Sequence, residues 1–169
     1  MSADLDPADV ARDVAAVIAR ARGDGYKASG LFQTVSTTAG IANSHGLFGH
    51  DRRTLVSYST TMHGPAGSGK AVVNENDYAR IDLGRLVETV AGNTRAAQDP
   101  VEIAPGDYTV IFEPLAVAEL LTFLAFTMSA RSAAEGSSAF SGTVGTQLVS
   151  ERVTLALRLD DPDLPAPAY

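Results

Sequence analysis

The sequence contains no cysteine. Disulfides, thiolate zinc sites and a cysteine nucleophile are therefore excluded, and a reducing compartment is permitted. Basic residues are scarce: 13 Lys and Arg stand against 20 Asp and Glu, for a formal net charge of −7. Neutralising nucleic-acid phosphates takes clustered basic side chains, so a general nucleic-acid binder is not expected. Long uncharged apolar runs are also missing. The most apolar stretch, Val110 to Met128, carries Glu113, Pro114 and Glu119, whereas a bilayer span needs about 20 nearly uncharged residues. It reads as a strand end followed by a buried helix from Leu115. The first residues, MSADLDPADVARD, are acidic and lack the basic and apolar regions of a secretory signal. The expectation is a soluble, cytoplasmic protein that meets neither membrane nor nucleic acid.

What is present suits a globular chain: 169 residues, 45% hydrophobic and 20% charged, enough for one ordinary domain or two small ones. Asp6-Pro7-Ala8-Asp9 is a helix start, with Asp6 as cap and Pro7 at the first helical position. Val10, Val14, Val17, Ile18 and Ala21 follow on one helical face, and Gly23 and Gly25 end the helix. From Tyr26 the texture turns to Thr, Ser, Val and aromatics, which predicts an antiparallel meander over residues 28–75. Its turns are expected near Ala39-Gly40, His45-Gly46 and Gly64–Gly69. A second helix starts at Asp82 and presents Leu83, Leu86, Val87, Val90 and Ala91. Val101 to Ile103 and Tyr108 to Phe112 read as short strands around the turn Pro105-Gly106-Asp107. A helix follows Pro114, residues 129–148 read as a loop with a short helical turn, and Glu151 to Leu159 reads as a strand. The tail, DDPDLPAPAY, is proline-rich. There is no internal repeat. The order of elements predicts an α+β fold, an antiparallel sheet with packed helices followed by the start of a second β-rich domain, with a boundary near residues 98–106.

Four groups of residues invite chemistry. Gly64 to Ala71, GPAGSGKA, fits the phosphate-loop pattern G-x-x-x-x-G-K-[ST] except at its last position, where Ala71 offers no hydroxyl for magnesium. Strand-like flanks favour a glycine-rich hairpin loop instead, with Lys70 a solvated charge. His45, His50, Asp51 and His63 could supply zinc donors, but no pair has helical ligand spacing, and loop histidines are the simpler reading. Glu113 and Glu119 could do acid–base work, but Glu113 before Pro114 is more simply a helix N-terminal acid and Glu119 lies in the first half of that helix, so a structural role is the better reading. Ser137, Ser138 and Ser141 lack a G-x-S-x-G elbow and read as loop serines. The residues by themselves indicate no catalytic constellation.

Taken together and in order, IANSHGL (Ile41 to Leu47), GSGKA (Gly67 to Ala71), DPVEIAPGDYTVIFEP (Asp99 to Pro114) and SSAFSGTVGTQLVSERVTL (Ser137 to Leu155) resemble the TldD/PmbA family of bacterial and archaeal metalloprotease-related proteins. The resemblance implies an N-terminal α+β domain, to which residues 1–98 would belong. It also implies a C-terminal β-rich domain, whose start would follow a central region within residues 99–169. Family chains are longer, so the expectation is a chain truncated at both ends. In the family, a catalytic TldD-type subunit carries an H-E-x-x-x-H zinc motif on a helix, a TldE/PmbA-type partner lacks it, and the pair acts on unfolded peptides. The matching helix here is AELLTFLAFTM, Ala118 to Met128. The ligand positions fall near Leu121 and Phe126 and the general base near Thr122. Leucine and phenylalanine offer zinc no donor atom.

The resemblance therefore implies the non-catalytic type, with no catalytic, metal or cofactor residues. A TldD-like catalytic subunit or a second copy would be its partner, and unfolded peptides its ligand. Two alternatives stand beside it: an active metallopeptidase subunit using His45, His50 or His63, and a nucleotide-binding protein using Lys70 and the Gly64 to Ala71 loop.

Overall fold

A computed structural model describes residues 5–156. They form two compact units that divide between Ile103 and Ala104.

The first unit opens with helix α1, Pro7–Gly23. The Asp6 carboxylate accepts the Ala8 N–H at 2.8 Å, satisfying one of the donors that a helix start leaves free. Gly25, at φ +78°, takes the left-handed conformation that lets the chain turn away. Three strands follow, β1 (Lys27–Ala42), β2 (Phe48–His63) and β3 (Ser68–Glu75), in the antiparallel order β1-β2-β3. All of β1 pairs with β2, from Lys27 opposite His63 to Ala42 opposite Phe48. β3 pairs only with Val56 to His63. The other half of the β1–β2 ribbon extends beyond it.

Alternation then decides the core. Thr54, Val56, Tyr58, Thr60 and Met62 point from β2 to one face and are buried. Helix α2, Leu83–Ala96, lies on that face after a 3-10 turn at Tyr78–Arg80. It starts where Asp82 accepts the Arg85 N–H at 2.9 Å. Val17 and Ala21 of α1 join Tyr58, Met62, Ala71, Leu86, Val90 and Ala91 in a single cluster. Both helices show the apolar face that the sequence predicts. The architecture of this unit is α+β.

One expected turn is not formed. Ala39 and Gly40 lie inside β1, opposite Asp51 and His50. A glycine weakens a strand without ending it when both sides of the ladder continue, and here the register runs on to the true turn at residues 43–47.

The second unit contains helices α3 (Pro114–Thr127) and α4 (Ala130–Ala134). Among its described residues there is no strand. The strands expected at residues 101–103 and 108–112 are not formed, nor is any strand over 151–156. The remainder of that last expected strand, and the proline-rich tail, lie outside the described residues. β-propensity expresses packing on a pleated surface, and none of these segments has a neighbour with which to form a ladder. The helix expected to be buried is exposed: α3 has no buried residue, and Phe126 is 80% accessible. Its sequence is apolar on every side, the pattern of a helix within a larger core. Among the described residues nothing encloses it. No helix there is long and apolar enough to cross a membrane.

Candidate functional site

The glycine-rich loop is the hairpin connection between β2 and β3. The Gly64 N–H donates to the Gly67 carbonyl at 2.9 Å, and Ser68 already belongs to β3. The loop rests on the last turn of α2. Gly69 N–H donates to Thr94 Oγ1 at 3.1 Å, Ala66 N–H to Gln98 Oε1 at 3.2 Å, and Gln98 Nε2 to the Gly67 carbonyl at 2.9 Å. A phosphate loop needs free amides and a helix N-terminus. Three of the amides here are already engaged, and the helix end facing the loop is a C-terminus, whose dipole repels an anion. Lys70 lies in β3 opposite Thr61, and Ala71 is buried in the core. The loop is structural.

Its anchor is Thr94, which is fully buried. The Thr94 hydroxyl accepts from Gly69 and lies 2.7 Å from the Val90 carbonyl and 3.2 Å from the Met62 carbonyl, to one of which it donates. One side chain thus ties together β2, β3 and α2. Thr94→Val keeps the shape but strands the Gly69 amide in the interior. Urea unfolding is expected to show a loss of about 2 kcal/mol, the usual cost of an orphaned buried donor. A loss indistinguishable from zero would remove Thr94 from this role.

The histidines do not converge. His45 lies in the turn, where Asn43 Oδ1 accepts the His45 and Leu47 amides at 3.0 and 3.1 Å. His50 and Asp51 are consecutive on β2 and so point to opposite faces. His63 ends the same strand, 13 positions beyond His50, which at about 3.3 Å per residue places it roughly 40 Å away. Its Nε2 is 2.9 Å from Ser29 Oγ. Among the described residues no group of three or more His, Asp or Glu is placed to hold a metal ion.

In the second unit Glu113 is the N-cap position of α3 but makes no side-chain cap bond there. Glu119 lies six residues further along the helix and on another side of it. The serines build a turn: Ser138 Oγ donates to the Thr127 carbonyl at 2.7 Å and Ser141 Oγ to the Ser138 carbonyl at 2.8 Å, while Ser137 Oγ donates to the Ser132 carbonyl at 3.2 Å. No histidine is present after His63, so none adjoins them in sequence. Of the positions expected to correspond to the zinc motif, Leu121 and Phe126 are apolar and exposed, and Thr122 Oγ1 donates back to the Ala118 carbonyl at 2.9 Å.

Two polar clusters escaped the sequence reading. Tyr78 donates its hydroxyl to Asp13 and stacks edge-on against Phe32, which stacks in the same way on Tyr58. Arg20 bridges Asp24 and Glu88, joining α1 to α2. Acids and a base at unremarkable helix positions were the only trace of either in the sequence. The Glu88 hydrogen bond, more than that of Asp24, raises the pKa of Arg20, and the same bond lowers that of Glu88.

Tyr78 moves further. Burial first, then the hydrogen bond to Asp13, push its pKa from 10.0 up to about 12. The neutral phenol is the form favoured by folding, so its contribution is complete below pH 10.0 and is lost as the pH rises through about 12. Burial, then the charge of Asp13, raises the pKa of the Tyr58 phenol as well, so ultraviolet titration is expected to show late-ionising phenols, and Tyr78→Phe is expected to remove the step near pH 12.

Comparison with known families gives a match in each half of the chain. Residues 2–96 match a family model described as the PmbA/TldA metallopeptidase central domain, and residues 105–168 one described as the PmbA/TldA metallopeptidase C-terminal domain. No curated protein and no solved structure matches.

Proposed function

The chain belongs to the TldD/PmbA metallopeptidase family, and from that premise we propose that it is a non-catalytic member, the partner subunit of a peptide-degrading metalloprotease. One observation carries the reading: residues 105–168, the part that matches the family's C-terminal domain, contain no histidine. Zinc in a peptidase needs nitrogen, oxygen or sulfur donors and an open position for water. Leu121 and Phe126, at the places where the resemblance puts the ligands, supply none. His45, His50 and His63 do not make up the loss, because His45 lies in the turn before β2, His50 near the start of that strand and His63 at its far end. The binding partner on this reading is a chain that bears the H-E-x-x-x-H motif, and the peptide bond is cleaved there.

The test is metal analysis of the purified full chain, followed by co-purification with family members from the same cell. The expected result is far less than one zinc per chain, no peptidase activity alone, and recovery of an H-E-x-x-x-H-bearing chain. One zinc per chain with chelator-sensitive peptidase activity would overturn the reading.

A further inference from the structure

A cavity of about 210 Å³ lies between α1 and the sheet. Val14, Val17 and Ile18 of the helix form one wall, and Ala28, Tyr58 and Thr60 of the inner sheet face form the other. Ser29 touches it as well. Its hydroxyl meets His63 on the opposite face of the sheet, so it contributes backbone alone. No lining residue carries a charge. Ile18, 36% accessible, reaches solvent.

Two hydroxyls in the sheet wall are poorly satisfied. Tyr58 is only 4% accessible, yet its hydroxyl has no hydrogen-bond partner among the described residues. Every fully enclosed side-chain nitrogen and oxygen there does have one. The Tyr58 hydroxyl is therefore not sealed by protein, and the cavity is the open space that Tyr58 lines. Thr60, 2% accessible, donates to the Ser29 carbonyl at 3.5 Å, well beyond the usual length of about 2.7–2.8 Å for a hydroxyl bond. Leaving such buried groups unpaired is costly. Burial, then the charge of Asp13, raises the pKa of Tyr58, so the phenol stays a neutral donor.

Size and charge decide what fits. A cavity of about 150 Å³ takes benzene. By proportion this one takes about eight or nine non-hydrogen atoms, one ring with a small substituent. The substituent needs an acceptor atom for Tyr58. An anion would meet the field of Asp13 with no cation to hold it. A cation would lose its water among aliphatic side chains, with Asp13 already engaged by Tyr78. We propose that the recess between α1 and the sheet binds a small uncharged molecule, an apolar ring or branched chain bearing one acceptor such as a carbonyl oxygen, to which the Tyr58 hydroxyl donates. The walls hold the apolar body and the phenol fixes its orientation. This site goes beyond the subunit reading and does not depend on it, since it lies within the first unit and uses no zinc.

Acetophenone is the probe, titrated onto the full chain and followed by ligand-observed NMR. Saturable binding is expected. α-Methylstyrene, which has a methylene in place of the ketone oxygen, is expected to bind about fivefold or more weakly. Benzoate and benzamidinium, of the same size but charged, are expected to bind about tenfold or more weakly. Tyr58→Phe keeps the ring and removes the donor. It is expected to bring acetophenone down to the affinity of α-methylstyrene and to leave α-methylstyrene within twofold. Ala28→Leu fills the cavity and is expected to abolish binding of both, whereas Leu31→Ala, on the outer face, is expected to leave both within twofold. Circular dichroism checks that each variant is folded. The proposal is overturned by no saturable binding to the folded chain, by equal binding of either charged analogue, or by a Tyr58→Phe chain that keeps the ketone's advantage. Binding that survives in folded Ala28→Leu overturns it too, since the ligand would then sit elsewhere. If Ala28→Leu does not fold, Tyr58→Phe decides alone.

Discussion

Gly69→Ala is expected to lower the stability of the first unit by about 3 kcal/mol, at the upper end of what overpacking costs. The strand and the helix touch there through their backbones. A Cβ on Gly69 would lie 2.4 Å from the Thr94 nitrogen and 2.7 Å from the Asn93 carbonyl carbon. Neither atom belongs to a flexible side chain, so α2 itself would have to lift. Lifting it stretches the Gly69 to Thr94 hydrogen bond and opens the core beneath Val90. The comparison is Gly92→Ala in the same helix, where nothing lies within 4 Å of the added carbon. There the better helix propensity of alanine is expected to stabilise by roughly 0.5–1 kcal/mol. Urea midpoints for the two variants should therefore move in opposite directions. If both rise, the close approach of α2 to β3 is not as described.

Met62→Ala is expected to cost a similar amount, about 3 kcal/mol, for a different reason. Met62 is fully buried. It lies on β2 between Ala28 on one neighbouring strand and Gly69 on the other. Both neighbours are small, so neither can swing in to fill the space, and the lost contacts remain as a cavity. Leu31→Ala, on the other face of the sheet and 62% accessible, is expected to change stability by less than about 0.5 kcal/mol. Chemical unfolding of the pair checks the assignment of faces directly: comparable losses would mean that the outer face is packed as well.

Much of the first unit was legible in the sequence because its signals are local. Asp6-Pro7 and Asp82 mark helix starts by chemistry confined to a few residues, and both act as caps. The hairpin reading of GPAGSGKA followed from Ala71 and its strand-like neighbours, and it agrees with the loop observed. What the sequence hid was the partner of that loop. The end of α2 is remote in the chain, and only the fold shows that Gly67 and Gly69 are small because a helix C-terminus lies against them. Tyr78 and Asp13 meet for the same non-local reason. Ala39-Gly40 misled because glycine marks turns and interrupted strands alike, and a register held on both sides decides between them.

In the second unit the apolar pattern of α3 correctly signalled a helix, but pattern alone does not supply the surface that encloses one. The strands expected around Pro105 failed on the same point. The separation of His50 from His63 was legible in another way, since spacing along one extended strand converts almost directly into distance.

The turn at Asn43 to Leu47 has a consequence for how the sheet assembles. Sixteen cross-strand pairs take their register from this one short connection. A slip of a single residue would turn Val56, Tyr58 and Met62 outward together and leave neither helix a surface to dock on. Pairs nearest the turn close the smallest loops and sacrifice the least chain entropy. Zipping therefore runs from Ala42 and Phe48 toward Lys27 and His63, on the order of microseconds for a hairpin. Helix α2 closes onto a ribbon whose alignment is already decided, and the Asn43 carboxamide, far from every buried residue of α2, has a say in which side chains that helix meets.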